Sequence, residues 1–263
     1  MTDLAAKPPV RHLLGLSGGK DSSALAIYMR DRVPEMEYFF ADTGAELPET
    51  LEFIDLLQDY LGKPIVRLNS ARSFDYYLKF HKNYLPSPKQ RWCTFNLKLL
   101  PFEEFVGNDK VISYVAIRAD EPDRAGYISS KRNIRTRFPF KEDGLTKDDI
   151  QDILESAGLG MPRYYEWRSR SGCYFCFFQR REEWAGLKQY HPDLYERAKA
   201  YEKADEETGK VYTWNQSGTL DELVERAEKA EPVSLKNKPS RKLIDRFGNS
   251  EDDEDHGCIL CSL

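Results

Sequence analysis

The chain has no run of about eighteen apolar residues and no charged-then-apolar segment near its start, the signals of a membrane span and a secretory leader. The expectation is a cytoplasmic protein that makes no membrane contact. Cysteine is scarce. The five residues Cys93, Cys173, Cys176, Cys258 and Cys261 are odd in number and uneven in spacing, which argues against a disulfide framework and for metal binding or thiol chemistry. There is no internal repeat and no excess of positive charge. With 39 Lys and Arg against 44 Asp and Glu, the net charge is −5, so no global field recruits nucleic acid. The ordinary nucleotide P-loop is also missing: around Gly19-Lys20 it would need Gly at 14 and Ser or Thr at 21, where Leu14 and Asp21 stand.

What is present is a globular composition, 40% hydrophobic and 32% charged over 263 residues, enough for one large domain or one domain with an appendage. Apolar residues from Val10 to Leu16 read as a buried strand, and Ala24 onward begins a helix. Glu37 to Asp42 reads as a second strand, Pro48 to about Leu61 as a helix, Ile65 to Leu68 as a third strand, and Lys110 to Arg118 as a further buried strand. This alternation implies an α/β fold with a parallel sheet and helices on both faces, followed by a mostly helical C-terminal part.

Ligands of such sheets sit beyond the carboxyl ends of the strands. There the first loop reads Ser17-Gly18-Gly19-Lys20-Asp21-Ser22. Small residues let backbone N–H groups approach an anion, the following helix N-terminus adds partial positive charge, and Lys20 adds a full one. A phosphate cradle is one reading and a plain helix-capping turn the other. The second loop carries Asp42, Thr43 and Gly44, which could face the same nucleotide or cap a helix. Arg118, Glu121 and Arg124 follow a strand, and arginine forks pair phosphate oxygens; a surface ion-pair network is the alternative. Residues 70 to 92 mix aromatic and basic side chains, suited either to a nucleic acid strand or to packing a helical hairpin.

Ser-Gly-Gly-x-Asp-Ser resembles the PP-loop of the ATP pyrophosphatases, which grip the pyrophosphate of ATP and cleave between the α- and β-phosphates. Asp42-Thr43-Gly44-x-Glu46-x-Pro48-Glu49-Thr50, the segment with Cys93 and Lys98, the Arg118-x-x-Glu121-x-x-Arg124 cluster and Gly172-Cys173-x-x-Cys176 resemble the phosphoadenylyl-sulfate (PAPS) reductase branch of that family, in family order. The resemblance implies an adenine nucleotide α-hydrolase-like domain over residues 10–181. A leader (1–9) precedes it, and a helical extension (182–247) and an acidic tail with a C-terminal C-x-x-C (248–263) come after it.

It also implies site roles. Ser17, Gly18, Gly19, Lys20, Asp21, Ser22, Asp42, Thr43 and Gly44 would bind ATP, with Asp21 on Mg²⁺. Lys20, Asp21, Arg118 and Arg124 would carry catalysis. Cys93, Cys173 and Cys176, with Cys258 or Cys261 as the fourth ligand, would hold a 4Fe–4S iron-sulfur cluster, with zinc or unmetallated thiols as alternatives. The assimilatory adenylyl-sulfate reductases have two adjacent cysteines in the earlier segment, whereas here Cys93 stands between Trp92 and Thr94. The tail C-x-x-C lacks the Glu that precedes the PAPS reductase nucleophile, and metal ligation, persulfide relay and a frayed end are all open for it.

In kind the chain resembles the ATP pyrophosphatases of DNA phosphorothioation, which combine such a domain with clustered cysteines. Their activity would be ATP cleavage to AMP and pyrophosphate, activating an oxygen so that sulfur can replace it. The partners would be a cysteine desulfurase as sulfur donor and DNA as acceptor, with oligomeric state left open. The alternatives are a thiol-dependent sulfonucleotide reductase and a tRNA-thiolating enzyme of the same loop family.

Overall fold

The computed structural model describes residues 9–124, 126, 129–203 and 212–229. Five parallel strands form one sheet: β1 (Arg11–Leu16), β2 (Glu37–Asp42), β3 (Ile65–Asn69), β4 (Val111–Tyr114) and β5 (Ile134–Arg137), in the order β3-β2-β1-β4-β5. Side chains alternate across a strand, so successive residues serve opposite faces. Leu14, Leu16, Tyr38 and Phe40 join a core with Leu25 of α1 (Lys20–Met29), Leu57 of α2 (Pro48–Leu61) and Ile150 of α7 (Lys147–Ser156). Leu13, Phe39 and Val111 join another with Phe102 and Val106 of α5 (Leu100–Val106). Both faces are therefore covered, as the near-continuous apolar strands demand.

Two strands depart from expectation. β4 ends at Tyr114, although Val115, Ala116 and Ile117 remain buried. Its ladder partners run out there: the β1 pairing stops at Leu14, opposite Tyr114, and β5 ends at Arg137 before Pro139 opens α6 (Pro139–Glu142). β5 itself carries Ile134-Arg135-Thr136-Arg137, too polar to read as a core strand and suited to a sheet edge, where charge blunts pairing with other chains. At the start of α7, in the Thr146–Asp149 capping box, Asp149 Oδ2 accepts from the Thr146 N–H at 2.7 Å and from its hydroxyl at 2.8 Å.

A third core is built from helices and turns outside the sheet. α3 (Phe74–Phe80), α4 (Trp92–Thr94), the π-helical turn Phe95–Leu99, the 3₁₀ turn Arg163–Glu166 and the helices α8 (Arg181–Tyr190), α9 (Pro192–Lys199) and α10 (Leu220–Lys229) contribute to it. Phe74 lies on Phe175 at 4.3 Å between ring centres, and Phe175 stacks on Trp214 at 5.3 Å. The C-terminal helices thus share a core with the Cys173–Cys176 turn. Among the described residues no helix is long and apolar enough to cross a membrane.

Phe102 is fully buried and stacks on Phe39 at 5.0 Å. Phe102→Ala is expected to lower unfolding free energy by about 3–5 kcal/mol, read from denaturant unfolding; a loss below about 1 kcal/mol would mean that α5 is not seated on the sheet as described.

Candidate functional site

The order of the strands reverses between β1 and β4, and the crevice outside their carboxyl ends is where ligands of open α/β sheets bind. The Ser17–Lys20 loop leaves β1 at that point. Gly18 adopts φ +69°, and a Cβ there would stand 2.5 Å from Thr50 Cγ2 on α2. A Cβ on Gly19 would stand 2.6 Å from Ser171 Oγ. Close packing therefore requires both glycines, and at Gly18 the backbone conformation does so as well. Hydroxyls knit the loop: Ser22 Oγ accepts from Ser17 N–H at 3.1 Å and donates to Gly19 O at 3.2 Å, and Ser171 Oγ donates to Ser17 Oγ at 3.1 Å. Tyr164 O–H donates to Gly18 O at 2.7 Å, and the Lys20 N–H donates to Tyr165 Oη at 3.2 Å. Gly19 itself is the N-cap of α1.

The loop's charges are organised around Asp21. Lys20 Nζ lies 2.6 Å from its Oδ2, and Arg118, arriving from the end of β4, lies 2.7 Å from its Oδ1. Arg118 also pairs with Asp120 at 2.9 Å, and Glu121 links Arg118 at 3.6 Å to Arg124 at 3.0 Å. Burial pushes the Asp21 carboxyl up, but the charges of Lys20 and Arg118 and their hydrogen bonds outweigh it and hold the group below the usual carboxylate range. Burial lowers the Arg118 affinity for its proton while Asp21 raises it, and the net is a more firmly held charge.

At the end of β2, Gly44 N–H donates to Asp42 Oδ1 at 2.9 Å, a local turn rather than a helix cap, since α2 starts at Leu47 and Pro48. Thr43 donates from its N–H at 3.2 Å and from its hydroxyl at 2.6 Å to Glu46, which also accepts from Ala45 N–H at 3.0 Å. Burial raises the Glu46 carboxyl above the usual range; the Thr43 bond and Lys98 oppose the rise without cancelling it. Glu46, Ser17, Ser171, Thr50 and Lys98 line a cavity against the phosphate loop. Thr50 Oγ1 is buried there with no hydrogen-bond partner among the described residues, a donor suited to a phosphate oxygen.

Cys93, Cys173 and Cys176 line one neighbouring cavity, about 480 Å³ with its open mouth included, together with Thr43 and Lys98. Lys98 borders both spaces. Cys93 is set by α4. Cys173 and Cys176 sit on a turn closed by Cys176 N–H to Cys173 O at 3.1 Å, which Arg168 clamps by donating to Gly172 O and Cys173 O at 3.0 and 2.9 Å. Cys173 Sγ lies 3.3 Å from Thr43 Oγ1, and burial, reinforced by Glu46, pushes its thiol up to about 12.

The three thiols share a cavity, but among the described residues no three Cys, His, Asp or Glu side chains are grouped closely enough to hold a metal ion. Their donor chemistry suits iron or zinc. Cys258 and Cys261, the expected fourth ligand, lie outside the described residues, as does the acidic tail.

Ser17 to Ser22, Arg118 and, through Glu121, Arg124 are brought together, and Asp42 to Gly44 lie toward the cysteines, where Thr43 bonds Cys173. Sequence reasoning missed Thr50, Glu46, Tyr164, Tyr165 and Ser171 as parts of the site. Glu46 and Thr50 stand inside the second motif, though without an assigned role, but the tyrosines contact the loop from about 145 residues away, a distance that no local pattern spans.

Residues 11–138 are similar to the family model described as the phosphoadenosine phosphosulfate reductase domain. Two uncharacterized proteins of Methanocaldococcus jannaschii are similar. One is 25% identical over 191 residues, which is 69% of this chain and 45% of that protein; the other is 28% identical over 204 residues, 73% of this chain and 41% of that protein. The chain spans less than half the length of either. A crystal structure of PAPS reductase from Candida auris, a phosphate complex, is similar at a TM-score of 0.48 and 12% identity, over 64% of this chain and 84% of that one.

Two outcomes are expected. Gly18→Ala costs about 1–3 kcal/mol, from the positive φ and the Thr50 contact together; Thr50→Ser in the same chain restores the steric share, and an undiminished loss in thermal unfolding would reject that contact. Asp21 is held below its ordinary 3.8, so its stabilising effect is present above that pH and is lost as pH falls through the lower folded value. The stability gap between the wild type and Asp21→Asn should therefore close on acidification, and a gap that widens would contradict the pairing.

Proposed function

We propose that this chain is an ATP pyrophosphatase that cleaves ATP to AMP and pyrophosphate, adenylating an oxygen that sulfur then replaces. The observation that carries the reading is the glycine loop with Lys20 and Arg118 converging on one carboxylate at the β1/β4 crevice, next to the cavity that gathers three cysteines. A cradle of this kind serves the outer phosphates of a nucleotide, which a preformed adenylyl sulfate lacks.

In the proposed reaction the backbone of Gly18 and Gly19 and the hydroxyls of Ser17, Ser22 and Thr50 hold the departing pyrophosphate. Lys20 balances the charge that develops on it, and Arg118 orients the oxygen being activated, with Arg124 held behind it through Glu121. An incoming polyphosphate competes with Asp21 for Lys20 and Arg118 and so frees the carboxylate. Asp21 is then the residue that would hold Mg²⁺, which would supply positive charge against the departing pyrophosphate. Thr43 and Lys98, which border the cysteine cavity, face the activated oxygen from the sulfur side. We assign a phosphate oxygen of DNA as the acceptor and a cysteine desulfurase as the donor. No step here depends on a metal at the cysteines.

Purified full-length protein with Mg²⁺ is expected to yield AMP and pyrophosphate; ADP with phosphate would reject the proposal. Lys20→Ala should lower kcat by about a hundredfold or more. A sulfonucleotide reductase is the second reading, favoured by the match of residues 11–138 to the PAPS reductase domain, and it alone predicts sulfite from PAPS and a thiol reductant. Anaerobic iron, zinc and sulfide analysis of the full chain tests the metal: about four irons per chain fit Cys93, Cys173, Cys176 and a tail cysteine, one zinc fits the same thiols, and neither assigns them to thiol chemistry alone.

A further inference from the structure

From Tyr76 to Phe102 the chain carries no Asp or Glu, although it has 44 elsewhere, and it carries Lys79, Lys82, Lys89, Arg91 and Lys98. A cationic stretch inside a chain of net charge −5 is a local field in search of an anion. Among the described residues no carboxylate lies within ion-pair distance of Lys79, Lys82 or Lys89.

The same stretch divides its aromatics. Leu78, Leu85, Trp92 and Leu97 are buried and, with Phe74 just before the stretch, pack the third core. Tyr76, Tyr84, Phe80 at 70% exposure and Phe95 at 56% face solvent instead. Large exposed rings of this kind, interleaved with lysines, match the construction of surfaces that stack unpaired bases while cations follow the backbone.

The surface leads to the cysteines. Phe80 meets His81 edge-on at 5.3 Å, His81 stacks on Trp92 at 5.0 Å, and Trp92 adjoins Cys93. At the cavity, Arg91 and Arg170 both lie over Phe178, one of its lining residues, at 5.4 and 5.1 Å.

We propose that the aromatic and basic stretch of residues 76–95, which carries no acidic residue of its own, docks a single strand of nucleic acid and leads its backbone to the cavity lined by Cys93, Cys173 and Cys176. The inference deepens the function proposed above and rests on it for the chemistry the strand would meet. Exposed rings are of use against unstacked bases, whereas a duplex offers them only its sugar-phosphate exterior, so the surface favours single strands over paired ones.

The test is fluorescence anisotropy of a labelled mixed-sequence oligonucleotide of roughly twenty bases with the full-length protein and no ATP. The single strand should bind at least about tenfold more tightly than the same sequence as a duplex, and its affinity should fall by about tenfold or more between about 50 and about 200 mM salt. Charge reversal in Lys79→Glu/Lys82→Glu/Lys89→Glu should weaken binding by about tenfold or more and flatten the salt dependence. Phe80→Ala/Phe95→Ala should weaken it about tenfold with the salt slope retained. These side chains are exposed, so unchanged thermal unfolding serves as the fold control. Absence of binding, equal affinity for duplex, or variants that bind like the wild type would each overturn the proposal. A chain that makes AMP and pyrophosphate yet ignores the strand refutes this face alone, and one that binds the strand but releases ADP refutes the activity alone.

Discussion

The structure depends on a loop that cannot carry side chains. Gly18 is pressed against Thr50 of α2 and Gly19 against Ser171, so the main chain between β1 and α1 runs where a Cβ would collide from either side. Two distant segments thereby touch the same turn: α2, which comes after the second strand, and the segment that leads into Cys173. Tyr164 and Tyr165 add hydrogen bonds to the same backbone. The phosphate loop is thus fixed by tertiary packing, and its amides are pre-aimed before any ligand arrives, which is how a preorganised site avoids reorganisation on binding.

That geometry sets two carboxyl groups on opposite courses. Asp21 has a cation on each oxygen and stays ionised, while Glu46, more buried than compensated, is pushed toward its protonated form. Divergent shifts within one crevice are a mark of functional sites more than of surface ion pairs. Glu46 lines the cavity against the phosphate loop, and Lys98 borders both that cavity and the one that holds the thiols. The ion-pair network around Arg118 is compatible with the phosphate contact proposed for it, because an entering anion would compete for the same guanidinium.

The third core explains why the C-terminal helices belong to the site. Phe175 lies between the two cysteines of the turn and inserts between Phe74 and Trp214. Glu183 of α8 accepts from Ser169 N–H and Oγ at 2.7 and 2.6 Å, just beside the Arg168 that clamps the turn. Thiol placement is therefore decided by helices far along the chain from the phosphate loop.

Much of the fold was legible because its signals are local. Apolar runs of strand length, Pro48 at a helix start and the Thr146–Asp149 box each need only neighbours in sequence, and the PP-loop is a contiguous six-residue pattern. The polar edge strand β5 and the early end of β4 were not, since both are set by whether a partner strand is present alongside. For the site, the sequence by itself determined which residues can cradle phosphate and that three cysteines exist to be gathered. Only the tertiary structure decided that Thr50, Glu46, Tyr164, Tyr165 and Ser171 close around that cradle, and that Arg118 meets Asp21. The reason is physical: a short motif encodes its own backbone, whereas contacts across a hundred residues form only when burial of the cores between them brings the chain ends of separate strands into one crevice.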